Sequence, residues 1–496
     1  MRRSTRAGWW SALILLTGLG GCAKFSPDAG MGFVDANAGA ELRKDVVKIR
    51  TEEEAAATAA RVAGLLRKPL SDETAVQIAL LNNRTLQAAY SELGVSEAQM
   101  VEASLPPAPT FSLSRLVATG ELEIERQILQ NVLGLLTLPR RREIAEAKFQ
   151  QAKVRAVEAT LKTAADARRA YYRAVAANRI VAFLEQSRTA ADALSELARK
   201  LGETGALSKL DQAREHAFTA DVNGQLALAR LRQRAERERL IRALGLWAQQ
   251  TAVRLPGDLR ALPAAPKVFK DIETIAVRRR VDLEMARQDL DILARKYGLT
   301  RATRFIDVLE VRGISRTERT TVERTAYTLN QGPPPSLSSS TEKERERAQW
   351  TGVELEFQIP IYDFGEARTR QAEETYMGAV HRLIARAVDV RSEAREAYAG
   401  YRGAYDVAKH YQNEIVPLRQ IINDEMLLNY NGMLRDLFTL LTESKARIQA
   451  NVQAIEARRD FWLAQVDLHV AVVGGGAMVG SSASVSSGAS PEPGGH

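Results

Sequence analysis

Small apolar residues recur at helical spacing along most of this chain, and the pattern comes in two copies. From Arg141 to Leu201 there is neither Gly nor Pro, and Ala, Val and Leu return every third or fourth position among Arg and Glu. That spacing predicts an amphipathic helix. A continuous helix over these 61 residues would reach ~90 Å. Gly202 and Gly205 interrupt it, and a second helix is predicted to run back from about Ser208 to Trp247. Later, a helix predicted from about Glu366 to Asn429, with a kink at Pro417, breaks at Gly432 and returns to about Val473. An offset of 227 residues sets Gly205 against Gly432, Glu146 against Glu373, Arg168 against Arg395, Tyr171 against Tyr398 and Leu207 against Leu434. A repeat of this size constrains the fold before any single motif does.

Ahead of each long helix the periodicity changes from helical to alternating. Thr110–Leu116 and Glu121–Leu129 alternate apolar and polar residues around Thr119-Gly120, which reads as a hairpin. Arg304–Ile314 and Val353–Ile361 are strand-like in the second half, and the polar insert between them, Ser315–Gln349, reads as a mobile surface loop. Thr51 and Glu54 have capping-box spacing at the head of a helix reaching about Leu66. Ser71 is placed to cap a helix over Asp72–Ser104, which Pro106, Pro107 and Pro109 stop; another helix spans roughly Lys270–Tyr297. Residues 23–50 read as an extended leader. The Pro/Gly stretch Leu255–Pro266 separates the halves, and the Gly/Ser-rich end reads as disordered.

Of the 496 residues, 45% are hydrophobic and 26% charged, as in folded chains. The net charge of +8 is spread as Arg interleaved with Glu on helix faces. No basic patch with interleaved aromatics is present, so a nucleic-acid partner is not expected. Arg2, Arg3 and Arg6 precede an apolar run, Trp9–Leu16, too short to span a bilayer. Leu19-Gly20-Gly21-Cys22 follows and resembles the lipobox of bacterial lipoproteins. The resemblance implies cleavage before Cys22 and acylation there, with Ala23 and Lys24 favouring the outer membrane; a secretory signal with a chance cysteine is the alternative. Cys22 is the only Cys, which excludes an intramolecular disulfide and a thiolate metal site. His216, His381, His410, His469 and His496 form no ligand pair, and neither a P-loop nor Gly-x-Ser-x-Gly is present. No enzyme, cofactor or metal is expected.

About four strands cannot close a barrel, since closure around a filled interior takes about eight. An open sheet in lipid would leave its edges unpaired. If these strands cross a membrane, several chains must pool them. The Ala-rich helices suit a thin coiled-coil wall for the same reason. A soluble helical bundle with one β flap is the other reading of the same pattern.

Four segments, in order, then carry a family resemblance. Leu70–Leu86 is similar to the opening helix signature of the TolC-like outer-membrane efflux channels. Arg280-Val281-Asp282-Leu283 stands where that family often has Arg-Pro-Asp-Leu. Ile359–Gly365 resembles its strand-to-helix transition, and Leu138-Pro139-Arg140-Arg141 is the shorter partner in the first half. The resemblance implies a mainly α fold with a small β part. Duplicated helical hairpins would form a periplasmic α-barrel, and a homotrimer would supply a 12-stranded outer-membrane β-barrel. It also implies a periplasmic adaptor, an inner-membrane pump and contact with outer-membrane lipid; the lipobox favours a pump of the resistance-nodulation-division type, while drug, metal-ion and protein export all stay open. The expected organisation is a signal peptide (1–21), a lipid-anchored segment (22–69), two repeats (70–257 and 258–474) and a tail (475–496).

By the same resemblance the hairpin tips dock the adaptor: Leu201, Gly202, Gly205, Leu207 and Ser208 in the first, Tyr430, Gly432 and Leu434 in the second. The alternative is that the glycines only turn the chain and the leucines staple the helices. Asp211 is the implied gate carboxylate, with Tyr430 and Arg435 as its partners, each shifted one residue from the family spacing. Where some members carry an acidic ring, this chain has Phe438 and Leu441, which predict an apolar constriction. A lipid-anchored structural coiled coil without channel activity, or an exit channel for type I protein secretion, are the alternatives in function.

Overall fold

The computed structural model describes residues 25–432 and 434–476. Cys22 and the expected signal peptide (1–21) lie outside the described residues, as does the tail from 477 onward. The chain divides into two compact units, each drawing on both repeats: Met1–Pro27, Val95–Gln150 and Gln288–His381 in one, and Asp28–Gly94, Gln151–Arg287 and Arg382–His496 in the other.

The first unit holds a four-stranded antiparallel sheet in the order β1 (Thr110–Ala118), β2 (Glu121–Asn131), β3 (Val308–Asn330), β4 (Ser336–Gln358). Each repeat supplies one hairpin, and β2 pairs with β3 to join them. The outer edges of β1 and β4 find no strand partner among the described residues. The insert expected to be a mobile loop is a continuation of β3 and β4. Pairing runs without a break from Val308↔Gln358 to Asn330↔Ser336, so only residues 331–335 turn the chain. Cross-strand polar pairs hold it: Lys343 with Glu323, Arg324 with Glu344, and Thr325 with Thr341.

The second unit is helical. Thr51 caps α1 (Glu52–Leu66), its Oγ1 accepting from Glu54 N at 3.2 Å while Glu54 Oε2 accepts from Thr51 N. Ser71 and Thr74 make the same reciprocal cap on α2 (Asp72–Asn82). The helix predicted to run to Ser104 breaks at Asn83, where ψ is 114°. Asn83 Oδ1 accepts from Thr85 N and Leu86 N and so restarts it as α3 (Arg84–Ser104). Arg280, with ψ 120°, makes the equivalent break between α6 (Ile272–Arg279) and α7 (Val281–Ala302). The leader is not extended throughout: Met31–Val34, Asp35–Gly39 and Ala40–Leu42 are helical turns that bury Val34, Ala38 and Leu42.

The long elements are α4 (Leu138–Glu203) and its return α5 (Lys209–Leu244), then α8 (Glu366–His410), α9 (Val416–Asn431) and the return α10 (Leu437–Val473). Pro417 stands in the first turn of α9, behind a π-helical turn at Tyr411–Ile415. Proline has no N–H to continue the ladder, and a wide turn absorbs the mismatch.

Buried alanines line the packed face of α4, as the sequence predicts. An aromatic cluster does more of the packing than the composition suggests. Tyr172 stacks on Trp462 at 5.6 Å, and Phe461 meets Trp462, Tyr401 and Tyr405 at 5.1, 5.4 and 5.7 Å. Their polar ends pin the linker between the halves: Trp462 Nε1 donates to Arg260 O, Tyr405 Oη to Ala264 O, and Tyr401 Oη accepts from Lys267 N. The Arg280–Leu283 motif is structural. Buried Arg280 pairs with Asp282 and Glu393, and Asp282 also accepts from Arg386.

Candidate functional site

Strand register sorts the sheet into two chemically different faces. Phe111, Leu113 and Val117 lie opposite Ile128, Arg126 and Leu122, and the same face continues through Val311 to Val353, Leu355 and Phe357. Apart from Arg126 and the half-buried Leu122 and Val311, these are uncovered apolar side chains: Leu113 is 72% and Val353 79% exposed. The opposite face is charged. Glu123, Glu125, Glu310, Arg312, Arg316, Glu318, Glu354 and Glu356 project from it. Arg316 pairs with Glu123 at 2.6 Å, and Arg312 with Glu354 and Glu356 at 3.3 and 3.4 Å. An apolar exposed face backed by a paired, charged one is the pattern of a membrane-barrel stave, with lipid on one side and water on the other.

Both helical tips are built by local backbone chemistry. At the end of α4, Gly205 adopts φ +76°. Ala206 N and Leu207 N donate to Leu201 O at 2.8 and 3.2 Å, closing the helix end. Ser208 caps α5: its Oγ accepts from Asp211 N at 3.1 Å and donates to Asp211 Oδ2 at 2.7 Å. A Cβ on Gly202 would lie 2.2 Å from Gln212 Nε2, so that glycine allows close packing. The second tip differs. Gly432 has φ −80°, open to any residue. Gly432 N donates to Leu428 O and Leu434 N to Asn429 O, both at 2.9 Å. Asp436 stands at the N-cap position of α10 without a side-chain cap bond to the backbone, and the Thr439 hydroxyl, which donates to it, holds its carboxyl below the usual aspartate range.

Beneath the tips Val181, Leu184, Phe218, Val222, Leu440 and Leu441 form one core, with Leu207 and Tyr430 packed half-buried against it. Leu201 is half-buried, and Leu434, at 74% exposed, projects into solvent. Of the two constriction residues, Leu441 is 5% exposed and faces this core within the chain, and Phe438 is 50% exposed. Among the described residues no hydrogen bond or ion pair joins Asp211 to Tyr430 or Arg435. Asp211 Oδ1 instead takes Arg214 Nη1 at 3.3 Å. Leu210 and Leu428, exposed near the same tips, were not singled out in the sequence as surface residues. Their repeat positions carry no polarity signal; only the packing of neighbouring helices reveals which side they take.

Among the described residues no cluster of metal-ligating side chains occurs, and no helix is long and apolar enough to cross a membrane. The β-strands are outside that second criterion.

No protein-family profile matches the chain. No curated protein matches it by sequence. Solved structures do match. The Campylobacter jejuni CmeC outer membrane channel superposes with a TM-score of 0.64 at 16% identity, covering 82% of this chain and 86% of that one. The outer membrane protein VceC of Vibrio cholerae gives 0.63 at 13%, covering 84% and 97%. The Neisseria gonorrhoeae MtrE outer membrane channel, in its open state, gives 0.61 at 15%, covering 81% and 88%. The expected resemblance is borne out at the level of fold: the duplicated helical hairpins and four-stranded sheet of this chain are the protomer fold of the TolC-like outer-membrane channels.

Proposed function

We propose that this chain is the outer-membrane channel component of a tripartite efflux system, working as a homotrimer. One observation carries the reading: a four-stranded sheet with an uncovered apolar face, a charged opposite face and two open edges. Three such sheets joined edge to edge would make a closed 12-stranded barrel, which removes the unpaired edges that lipid does not tolerate. The helices make a parallel demand. Leu228, Leu231, Leu418 and Ile421 are exposed on α5 and α9 and would be covered by neighbouring protomers. In this reading Leu207 and Leu434, with Leu201, Gly202, Gly205, Ser208, Tyr430 and Gly432, shape the surface that meets a periplasmic adaptor. The adaptor would connect to an inner-membrane pump of the resistance-nodulation-division type. Acylation of Cys22 would add a modest anchor to the barrel's own hold on the membrane. Phe438 supplies the apolar constriction, with Asp211, Tyr430 and Arg435 arranged around the tips.

Planar-bilayer recording on the purified full chain tests this. Discrete conductance steps from a particle of trimer mass are expected. A lipid-anchored particle that never conducts would replace the channel with a structural coiled coil.

A further inference from the structure

The apolar face of the sheet also carries cations, and they are treated differently from those on the charged face. Arg115, Arg126, Arg319, Lys343, Arg345 and Arg347 share the face of Leu113 and Val353 by strand register. Its one carboxylate is Glu323, which Lys343 takes. The guanidinium groups of the five arginines have no hydrogen bond or ion pair among the described residues. On the opposite face Arg312, Arg316 and Arg324 each hold a glutamate.

Arg319 and Arg347 are directly opposed across β3 and β4, and Arg345 follows at the next position on the same face, opposite Thr321. Like charges directly opposite destabilise a sheet unless a counter-charge is present. Three exposed guanidiniums in adjacent rows, just past the apolar rows of the sheet, form an anion-binding patch at the edge of a hydrocarbon-facing surface. Guanidinium forks match phosphate oxygens in pairs.

We infer that Arg319, Arg345 and Arg347 bind phosphate groups of lipid headgroups at the outer leaflet, with the acyl chains lying on the apolar rows beside them. This rests on the proposed function for its orientation: in that reading the strand ends that continue into α3, α4, α7 and α8 face the periplasm, so the turn ends of the strands emerge outside. A lipid is favoured over a free anion because Arg319 and Arg347 share their row with Leu122 and uncovered Val117, and the rows below on the same face carry Ile124, Leu113 and Phe111 before Val353, Leu355 and Phe357.

The test uses the purified full chain in neutral detergent, titrated with bisphosphorylated lipid A, with phosphatidylethanolamine and with inorganic phosphate, and read by native mass spectrometry. The wild type should bind lipid A over both others. The variant R319Q/R345Q/R347Q should lose about 100-fold in that affinity, while R312Q/R324Q on the charged face should keep it. If the triple variant does not assemble, R319Q and R347Q singly should each lose about fivefold. Unchanged lipid A binding in the variants, equal binding of both lipids, or inorganic phosphate binding as tightly as lipid A would each overturn the assignment. Conductance separates the two readings: a wild type that binds lipid A without conducting overturns the channel alone.

Discussion

The guanidinium of Arg214 lies 4.8 Å from the centre of the Phe438 ring, and the same side chain holds Asp211. This links α5 of the first repeat to α10 of the second just behind the tips. Such an exposed cation–ring contact contributes ~0.5–1 kcal/mol, weak enough to be displaced. Phe438→Ala should therefore raise single-channel conductance, and Arg214→Ala should raise it less, by freeing the ring. Leu441→Ala should act differently. Its side chain is inside the core, so ~2–5 kcal/mol of stability should be lost, seen as a lower thermal midpoint with unchanged conductance in the folded trimer.

Gly205 and Gly432 occupy equivalent repeat positions but not equivalent conformations. Gly205→Ala places a Cβ at φ +76° and should cost ~1–2 kcal/mol, visible as faster hydrogen exchange across residues 201–208. Gly432→Ala, at φ −80° with its nearest neighbour atom 3.5 Å from the added carbon, should stay within about 0.5 kcal/mol of wild type.

Exposure separates docking from packing at the tips. Leu434→Asp removes an apolar group that the chain itself does not cover, so efflux and adaptor pull-down should fail with trimer size unchanged. The pair Leu207→Asp with Leu434→Asp should do the same with a less stable tip, because Leu207 also packs on the core. Normal efflux from either variant would remove these leucines from the docking surface.

His469 should make stability depend on pH. Burial first, then Arg168, pushes its pKa below the ordinary 6.5, with Arg279 and Lys267 adding to the effect and Glu41 opposing it. Its Nε2 has no hydrogen-bond partner among the described residues. In the window between the lowered value and 6.5 the unfolded chain binds a proton that the folded chain does not. Stability is thus fully present above 6.5 and is lost as pH falls through that window. Denaturant midpoints measured from pH 7.5 downward should fall for wild type and fall less for His469→Gln.

The long helices, the paired tips and both hairpins were legible because each rests on local chemistry: helical spacing, Gly205 and Ser208, strand alternation. The break at Asn83 was less so. Nothing in the apolar spacing of 72–104 interrupts there, although an Asn before Arg-Thr-Leu is a cap signal. The strand extension through Ser315–Gln349 was missed for a different reason. Its pairs are mostly Thr, Ser, Glu, Lys and Arg, with Val322, Tyr327, Leu329 and Leu337 as scattered exceptions, so the regular alternation of apolar with polar residues that marks a strand is absent. The placement of Leu441 and Phe438 needed the packing of three helices, since both are apolar and three residues apart on α10.

Beyond Thr321 the last two strands leave their neighbours behind. Thr321 N donates to Gly120 O at 2.7 Å, and from Val322 onward only β4 accompanies β3. This two-stranded arm extends for about 30 Å on bonds of its own. In the proposed orientation it would stand clear of the membrane. Because no other strand pairs with it, shortening the arm removes only its own bonds and leaves the register of the four-stranded part intact.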